Sequence, residues 1–477
     1  MDHRSHMTHL RLCMIGGLLT VAGFLLSANG CGGGNVTSVT PPPTPAASIQ
    51  HIVVIFQENR TPDNLFHDPV LIARGADIAQ SGLNSLGQTI ALVPTSLTGD
   101  YDLDHSHKAF EAMYDNGKMD GANLVEVLCN GEICPKNTVV PPNPQYLYVQ
   151  ASDVGPYFQM AEQYTFGDHM FQTNQGPSFP AHQFLISGTS APSATSNLFA
   201  AENGHLTKGC TSPSGAYVPL IGPNGQESSQ TPIYPCFEHP TLTDELDSKG
   251  LSWRYYASSP TFIWTAPNAI QHMCQPQTQN GKLTCTGSTW AKVIIPQTQI
   301  LTDIANNQLA SVSWITPSGQ ASDHPLSNDG SGPSWVASIV NAIGSSAYWS
   351  NTVIIITWDD WGGWFDHVPP PQVLVNCAQW GCGYVYGFRV PLIIVSAYAK
   401  TQYISHVNHD FGSLLRFIEE TFNLPSLGYA DAGPVADDLS DCFDFTQTPT
   451  QFHSFAAQFD AAYFLNDKQA PLDPDDD

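Results

Sequence analysis

Positive charge is what this sequence has least of. Its 477 residues include 16 lysines and arginines against 42 aspartates and glutamates, a formal net charge of −26, and charged residues of both signs make up only 12%. So acidic a chain repels polyanions, which argues against nucleic-acid binding as its main task. A phosphorylated ligand stays open, because a bound cation can reverse the field at one place. No internal repeat or long low-complexity tract interrupts the chain, and no CxxC pair or Cys/His cluster signals a structural zinc site. The 38 glycines and 37 prolines follow no period and read as many ordered loops. What is present is a hydrophobic content of 42%, enough for one large core or two smaller ones.

A membrane-spanning run is also lacking. The apolar stretch from about 13 to 26 is too short and too glycine-rich for a comfortable span. It follows His3, Arg4 and Arg11 and precedes small residues ending in Ala28-Asn29-Gly30-Cys31, the layout of a secretory signal over 1–31. Cys31 with its three following glycines resembles a bacterial lipoprotein processing site, where a lipidated cysteine would tether the protein to a membrane. Asn29 is unusual there, and simple cleavage is the alternative. Residues 32–48, with Pro41-Pro42-Pro43, read as a flexible tether. The expected location is outside the cytoplasm: periplasmic, bound to the cell envelope as a lipoprotein, or secreted. Without Cys13 and Cys31, eight of the nine remaining cysteines fall into close neighbours, Cys129/Cys134, Cys210/Cys236, Cys274/Cys285 and Cys377/Cys382, with Cys442 left over. In an oxidising compartment such spacing points to loop-closing disulfides, although sequence alone does not establish connectivity.

Short apolar runs rich in β-branched residues, at 52–56, 310–315, 353–358 and 391–396, are continuous and not alternating. That pattern predicts strands covered on both faces, as in a largely parallel sheet. Apolar residues at three-to-four spacing predict helices over 334–343 and 412–422. Strands alternating with helices imply an α/β sandwich over 49–446. Residues 203–299 show no clear period and are expected to form a loop-rich insertion or cap; 447–477 is expected to be a C-terminal extension with an acidic tail.

In open α/β sheets, ligands bind beyond the carboxyl ends of the strands. The first run leads into Gln57-Glu58-Asn59-Arg60, and the third into Asp359-Asp360-Trp361-Gly362-Gly363. If both strands share a sheet, three carboxylates and an amide converge, and a cation is the natural compensation for like charges so close. Oxygen donors suit calcium or magnesium, with zinc also admissible. Each pair taken alone also fits a helix cap or turn. A third segment, Thr173-Asn174-Gln175-Gly176-Pro177-Ser178-Phe179-Pro180, puts Ser178 near the start of a helix, whose N-terminus favours a phosphate and an ionised serine; a helix cap is the other job for a serine there. The 17 histidines outnumber lysine plus arginine. Asp104-His105-Ser106-His107, Ser322-Asp323-His324 and Phe365-Asp366-His367 are suited either to proton transfer or to loop hydrogen bonding.

These segments, together with Asp115-Asn116-Gly117-Lys118-Met119-Asp120-Gly121 and the run from Thr357 to Pro371, resemble in content and order the bacterial phosphoesterase family of phospholipases C and related acid phosphatases. The resemblance implies an alkaline-phosphatase-like three-layer α/β sandwich with a divalent metal. Residue by residue, Glu58, Asn59, Asp359 and Asp360 match metal ligands. Ser178 matches the nucleophile, which also touches the metal. His105 and His324 match histidines at the phosphate site, and His272 is the candidate for a further one from the middle region. The implied substrate is a phospholipid or small phosphomonoester, hydrolysed through a phosphoserine. Asp360 stands where phospholipases C often have glutamate, and Thr61-Pro62 replaces the commoner Ser-Phe. Two alternatives are a sulfatase-like hydrolase, which would need a C/S-x-P-x-R motif that lacks its arginine at His182, and a non-catalytic surface-binding lipoprotein.

Overall fold

In the computed structural model, the described residues are 49–129, 132–134, 138–228, 232–377 and 380–472. The expected signal and tether, with Cys31, and the end of the acidic tail lie outside them. The apolar runs become strands of one sheet: β1 (His51–Gln57), β2 (Thr165–Phe171), β3 (Trp253–Tyr256), β4 (Val293–Ile294), β5 (Val312–Ile315), β6 (Thr352–Trp358), β7 (Arg389–Ser396), β8 (Tyr403–Ser405) and β9 (His409–Asp410). Their order is β4-β3-β5-β1-β6-β7-β2-β8, with β9 also paired to β2. All pairings are parallel except β6 with β7 and β7 with β2. Every residue of β6 and β7, and all of β1 after His51, is buried. Covering both faces is why these runs lack polar alternation.

The main helices are α1 (His107–Tyr114), α2 (Ala151–Gln163), α3 (Ser178–Ser187), α4 (Gly332–Gly344) and α5 (Phe411–Phe422). Helix α2 packs on α4, and α3 on α5, giving the α/β sandwich with its mostly parallel central sheet. α5 starts with a reciprocal cap between Asp410 and Ser413 and ends on Asn423 in the left-handed conformation, both ordinary helix boundaries. The chain beyond 446 folds back on this layer: Phe464 meets Trp335 edge-on at 5.2 Å, and Trp349 Nε1 donates to the Thr450 carbonyl at 2.6 Å. Among the described residues no helix is long and apolar enough to cross a membrane.

The structure departs from expectation over 203–299. This stretch is not one insertion, because β3 and β4 are strands of the main sheet and continue it beyond β5. Trp253-Arg254-Tyr255-Tyr256 has no aliphatic run and β4 has two residues, so neither carries a readable period. Their pairing with neighbours, such as Trp253 with Val312 and Tyr255 with Val293, makes them strands. The four expected disulfides are all formed, Cys129–Cys134, Cys210–Cys236, Cys274–Cys285 and Cys377–Cys382, while Cys442 is buried and free.

Asp366-His367 belongs to a buried clamp and not to the candidate site. Arg389, at the start of β7 and 0% exposed, donates through Nε to both Asp366 oxygens at 3.0 Å and lies 3.3 Å from Asp63. His367 Nδ1 sits 2.7 Å from the other Asp63 oxygen. These contacts tie the loop after β6 to β7 and to the short helix Pro62–Leu65. Removing one partner of a buried ion pair strands the other charges, at a cost of about 3–5 kcal/mol. Arg389→Met is therefore expected to lose about that much stability in denaturant unfolding; a loss under about 1 kcal/mol would mean the clamp is dispensable.

Burial pulls the His367 pKa down, but the hydrogen bond and charge of Asp63 outweigh this and lift it to about 9. A folded-state pKa above the unfolded value near 6.5 stabilises fully below pH 6.5, and that contribution fades as pH rises through about 9. The melting temperature of wild type should fall between pH 6.5 and 9 more steeply than that of His367→Gln, and identical slopes would refute the assignment.

Candidate active site

The carboxyl ends of β1, β2, β5 and β6 open onto one place. From β1 come Glu58 and Asn59, from β6 Asp359 and Asp360, from the turn after β2 Ser178, and from the loop after β5 His324. All six are at most 1% exposed. Backbone bonds pin the two acidic loops together: Asp359 N–H donates to the Gln57 carbonyl and Arg60 N–H to the Asp360 carbonyl, both at 3.0 Å. Asp359 Oδ1 accepts the N–H of Asn59 at 3.1 Å and of Asp360 at 2.8 Å. Asn59 holds a φ of 62°, a conformation asparagine tolerates better than most residues. Gly362 is needed opposite it: its φ is +61°, and a Cβ there would lie 2.5 Å from the Asn59 Cβ and carbonyl oxygen.

Several buried polar atoms at this spot have no hydrogen-bond partner among the described residues: both Glu58 oxygens, Asn59 Oδ1, Asp359 Oδ2 and both ring nitrogens of His182. Such atoms are rare in folded proteins and call for an explanation. His182 Nε2 is 3.5 Å from Glu58 Oε2 and 3.7 Å from Asp359 Oδ2, and the ligand atoms of these three residues lie within 4.8 Å of one another. Burial, and then the Asp359 charge, push Glu58 and Asp360 well above the usual carboxylate range. Asp359 is driven up by burial too, but His182, Glu58, Ser178 and the Asn59 N–H outweigh this and hold it low. Burial lowers His182 to about 4, leaving a neutral imidazole. Two carboxylates and a neutral imidazole that converge, with the unpartnered amide oxygen of the adjacent Asn59, form a donor set that fits a divalent cation.

Ser178 is the first residue of α3, and the cap position belongs to Pro177. Its Oγ donates to Asp360 Oδ2 at 3.2 Å, so the capping role is corrected by the geometry. The helix N-terminus also offers fewer donors than its position suggests, since the Phe179 N–H is taken by Asn203 Oδ1 at 2.9 Å and Pro180 has none. His105 Nδ1 lies 2.8 Å from the Leu103 carbonyl and Nε2 lies 3.2 Å from Asn59 Nδ2. That network assigns the proton to Nδ1 and sets the Asn59 amide N–H against Nε2. His324 Nδ1 is 2.7 Å from the Pro325 carbonyl, its ring lies 6.0 Å from that of His105, and burial followed by His105 lowers it to about 4. Arg60, 1% exposed, fixes this loop by donating to the Asp323 carbonyl at 3.1 and 2.7 Å. Thr61 and Pro62 form a working helix start, with Thr61 Oγ1 accepting the Asn64 N–H at 3.0 Å and Pro62 in the first turn.

The structure does not bring His272 into this group. It lies in the short helix Gln271–Cys274, pairs with Glu238 at 2.8 Å and Asp244 at 3.2 Å, and is 29% exposed. The histidine that joins the carboxylates is His182, which the sequence reading passed over. Its signal was present: Ser178 and His182 are four residues apart on one helix, the spacing that stacks two side chains on one face.

A model of the Phosphoesterase family matches residues 49–425. Phospholipase C B of Mycobacterium tuberculosis is 25% identical over 458 residues, covering 86% of this chain and 80% of that protein. Hemolytic phospholipase C of Pseudomonas aeruginosa is 24% identical over 451 residues, covering 83% of this chain and 56% of that longer protein. Among solved structures, an alkaline phosphatase superfamily protein from Vibrio parahaemolyticus overlaps 82% of this chain and 71% of its own at 10% identity and a TM-score of 0.33, a likeness too distant to carry any argument about chemistry. With the family match spanning most of its length, the chain belongs to the Phosphoesterase family and is a phosphoric ester hydrolase.

Proposed function

We propose that the protein is an exported, metal-dependent phosphoesterase of the phospholipase C or acid phosphatase type, hydrolysing phosphate mono- or diesters through a phosphoserine on Ser178. The observation that carries this reading is the buried, unpartnered donor set of Glu58, Asn59, His182 and Asp359 beside a serine bonded to Asp360. These residues, with Asp360 and Ser178, would hold a divalent ion, which when bound supplies positive charge that offsets the carboxylates and polarises a phosphoryl oxygen. Ser178 Oγ attacks phosphorus as its proton passes to Asp360, the ester P–O bond breaks, and the departing alkoxide takes a proton from solvent. Water then attacks the phosphoserine, the departing Ser178 oxygen takes its proton back from Asp360, and phosphate is released from a monoester or a phosphomonoester from a diester. His105 and His324 line the site, and burial keeps His324 neutral. Export is supported by the basic, apolar and small-residue order of 1–31.

Ser178→Ala should remain folded, because Ser178 is not the helix cap, yet lose turnover by about 10⁴-fold or more. Acid trapping with p-nitrophenyl phosphate should leave phosphate on the wild-type peptide that contains Ser178. A variant retaining a tenth of wild-type turnover would place the nucleophile elsewhere. Parallel assays on p-nitrophenylphosphorylcholine and p-nitrophenyl sulfate separate diesterase and sulfatase activity.

Metal dependence has a readout that needs no substrate. A divalent ion at about one hundred times its dissociation constant should stabilise chelator-treated wild type by about 2.7 kcal/mol. Asp359→Ala and His182→Ala should show far less of this gain in thermal unfolding. Equal stabilisation of all three proteins would show that the ion binds elsewhere.

A further inference from the structure

The turn that carries Ser178 is braced by a segment without an assigned role, Ala201-Glu202-Asn203. The Ala201 carbonyl presses so close to Gly176 that a Cβ there would lie 2.0 Å from it. Glu202 Oε1 accepts the His107 N–H at 2.9 Å, which joins the segment to the loop bearing His105. Asn203 is 1% exposed, and its Oδ1 accepts the Phe179 N–H at 2.9 Å. That bond settles which end of the amide is oxygen, since a flipped amide would set donor against donor. The other end, Nδ2, has no partner among the described residues. An amide N–H buried without a partner costs about 1–3 kcal/mol, and this one belongs to the amide that accepts from the peptide N–H following Ser178.

The same bond removes the Phe179 N–H from any anion, and proline at 180 has no N–H to offer. The helix start therefore loses two of the donors that usually bind phosphate there, while the Asn203 amide presents a replacement. Accepting from Phe179 also polarises the amide and strengthens Nδ2–H as a donor.

We infer that Asn203 is a substrate-binding residue whose Nδ2–H donates to a non-bridging oxygen of the phosphoryl group attacked by Ser178. The inference rests on the phosphoesterase reading above and adds a neutral donor to a site whose other groups are carboxylates, imidazoles, the Asn59 amide and the serine. Asn203→Asp keeps the oxygen that holds Phe179 but adds a negative charge, whereas Asn203→Ala removes the donor without adding charge, so the two together separate a lost hydrogen bond from repulsion and from scaffolding.

In protein supplied with the divalent ion, both variants should lose about 10²–10³-fold in kcat on p-nitrophenyl phosphate and bind inorganic phosphate about 10–100-fold more weakly. Wild-type kcat and phosphate affinity in either variant would overturn the role of Asn203 and leave the phosphoesterase reading standing. If wild type itself neither binds phosphate nor turns over the ester, that reading falls and the inference falls with it. Should the variants fail to fold, a wild-type crystal soaked with vanadate decides: an oxyanion oxygen within about 2.7–3.1 Å of Asn203 Nδ2 supports the role, and an oxyanion bound out of its reach overturns it.

Discussion

Glu58, Asp359 and Asp360 sit side by side at the end of two adjacent parallel strands, each with 0% exposure. Three carboxylates stripped of water in one place repel one another and lose hydration, and neither cost falls unless protons or a cation come in. Much of the surrounding structure follows from tolerating this arrangement. The two loops are bonded backbone to backbone, Asn59 adopts a left-handed conformation, and Gly362 leaves room for it. His182 comes up from α3 as a neutral imidazole facing two of the carboxylates. The two loops and His182 thus form one buried cluster, and Ser178 is set against it through Asp360.

The scarce positive charge of the chain is used for scaffolding. Among the described residues the two fully buried arginines are Arg60 and Arg389, and both spend their guanidinium groups on scaffold contacts. Arg60 holds the loop of His324 through the Asp323 carbonyl and lies over the Trp364 ring at 4.9 Å. Arg389 holds the loop after β6 through Asp366 and Asp63. Guanidinium groups suit this work because their fixed fork satisfies several acceptors at once and stays charged when buried. With the arginines so committed, neither guanidinium is free to meet the charge of a phosphoryl group, which is the task that the proposed ion and neutral donors would take. This is where an unpartnered amide such as Asn203 gains meaning.

The scaffold was legible in the sequence wherever chemistry and pattern coincide locally. The continuous apolar runs of β1, β6 and β7 announce strands buried on both faces, and the acidic residues that follow β1 and β6 announce a strand-end site. The periodic faces of α4 and α5 were equally readable. Where the elements are short, the pattern failed: β3 and β4 have too few residues to show a period, and sheet pairing alone makes them strands. His272 looked eligible because it is a histidine in the expected region, but Glu238 and Asp244 hold it elsewhere.

What the sequence determined by itself is the inventory: the strand cores, the carboxylates at their ends, the serine at a helix start, and the neighbouring cysteines that become four disulfides. These are properties of a residue and its near neighbours, and periodicity or spacing records them directly. Only the tertiary structure decided that His182 completes the cluster, that Ser178 bonds Asp360, and that Asn203 takes the Phe179 N–H. Ser178 and Asp360 are 182 positions apart in the chain, and no local rule links residues so distant. The order of strands in the sheet brings them together, and burial then sets which of their protons and lone pairs remain available.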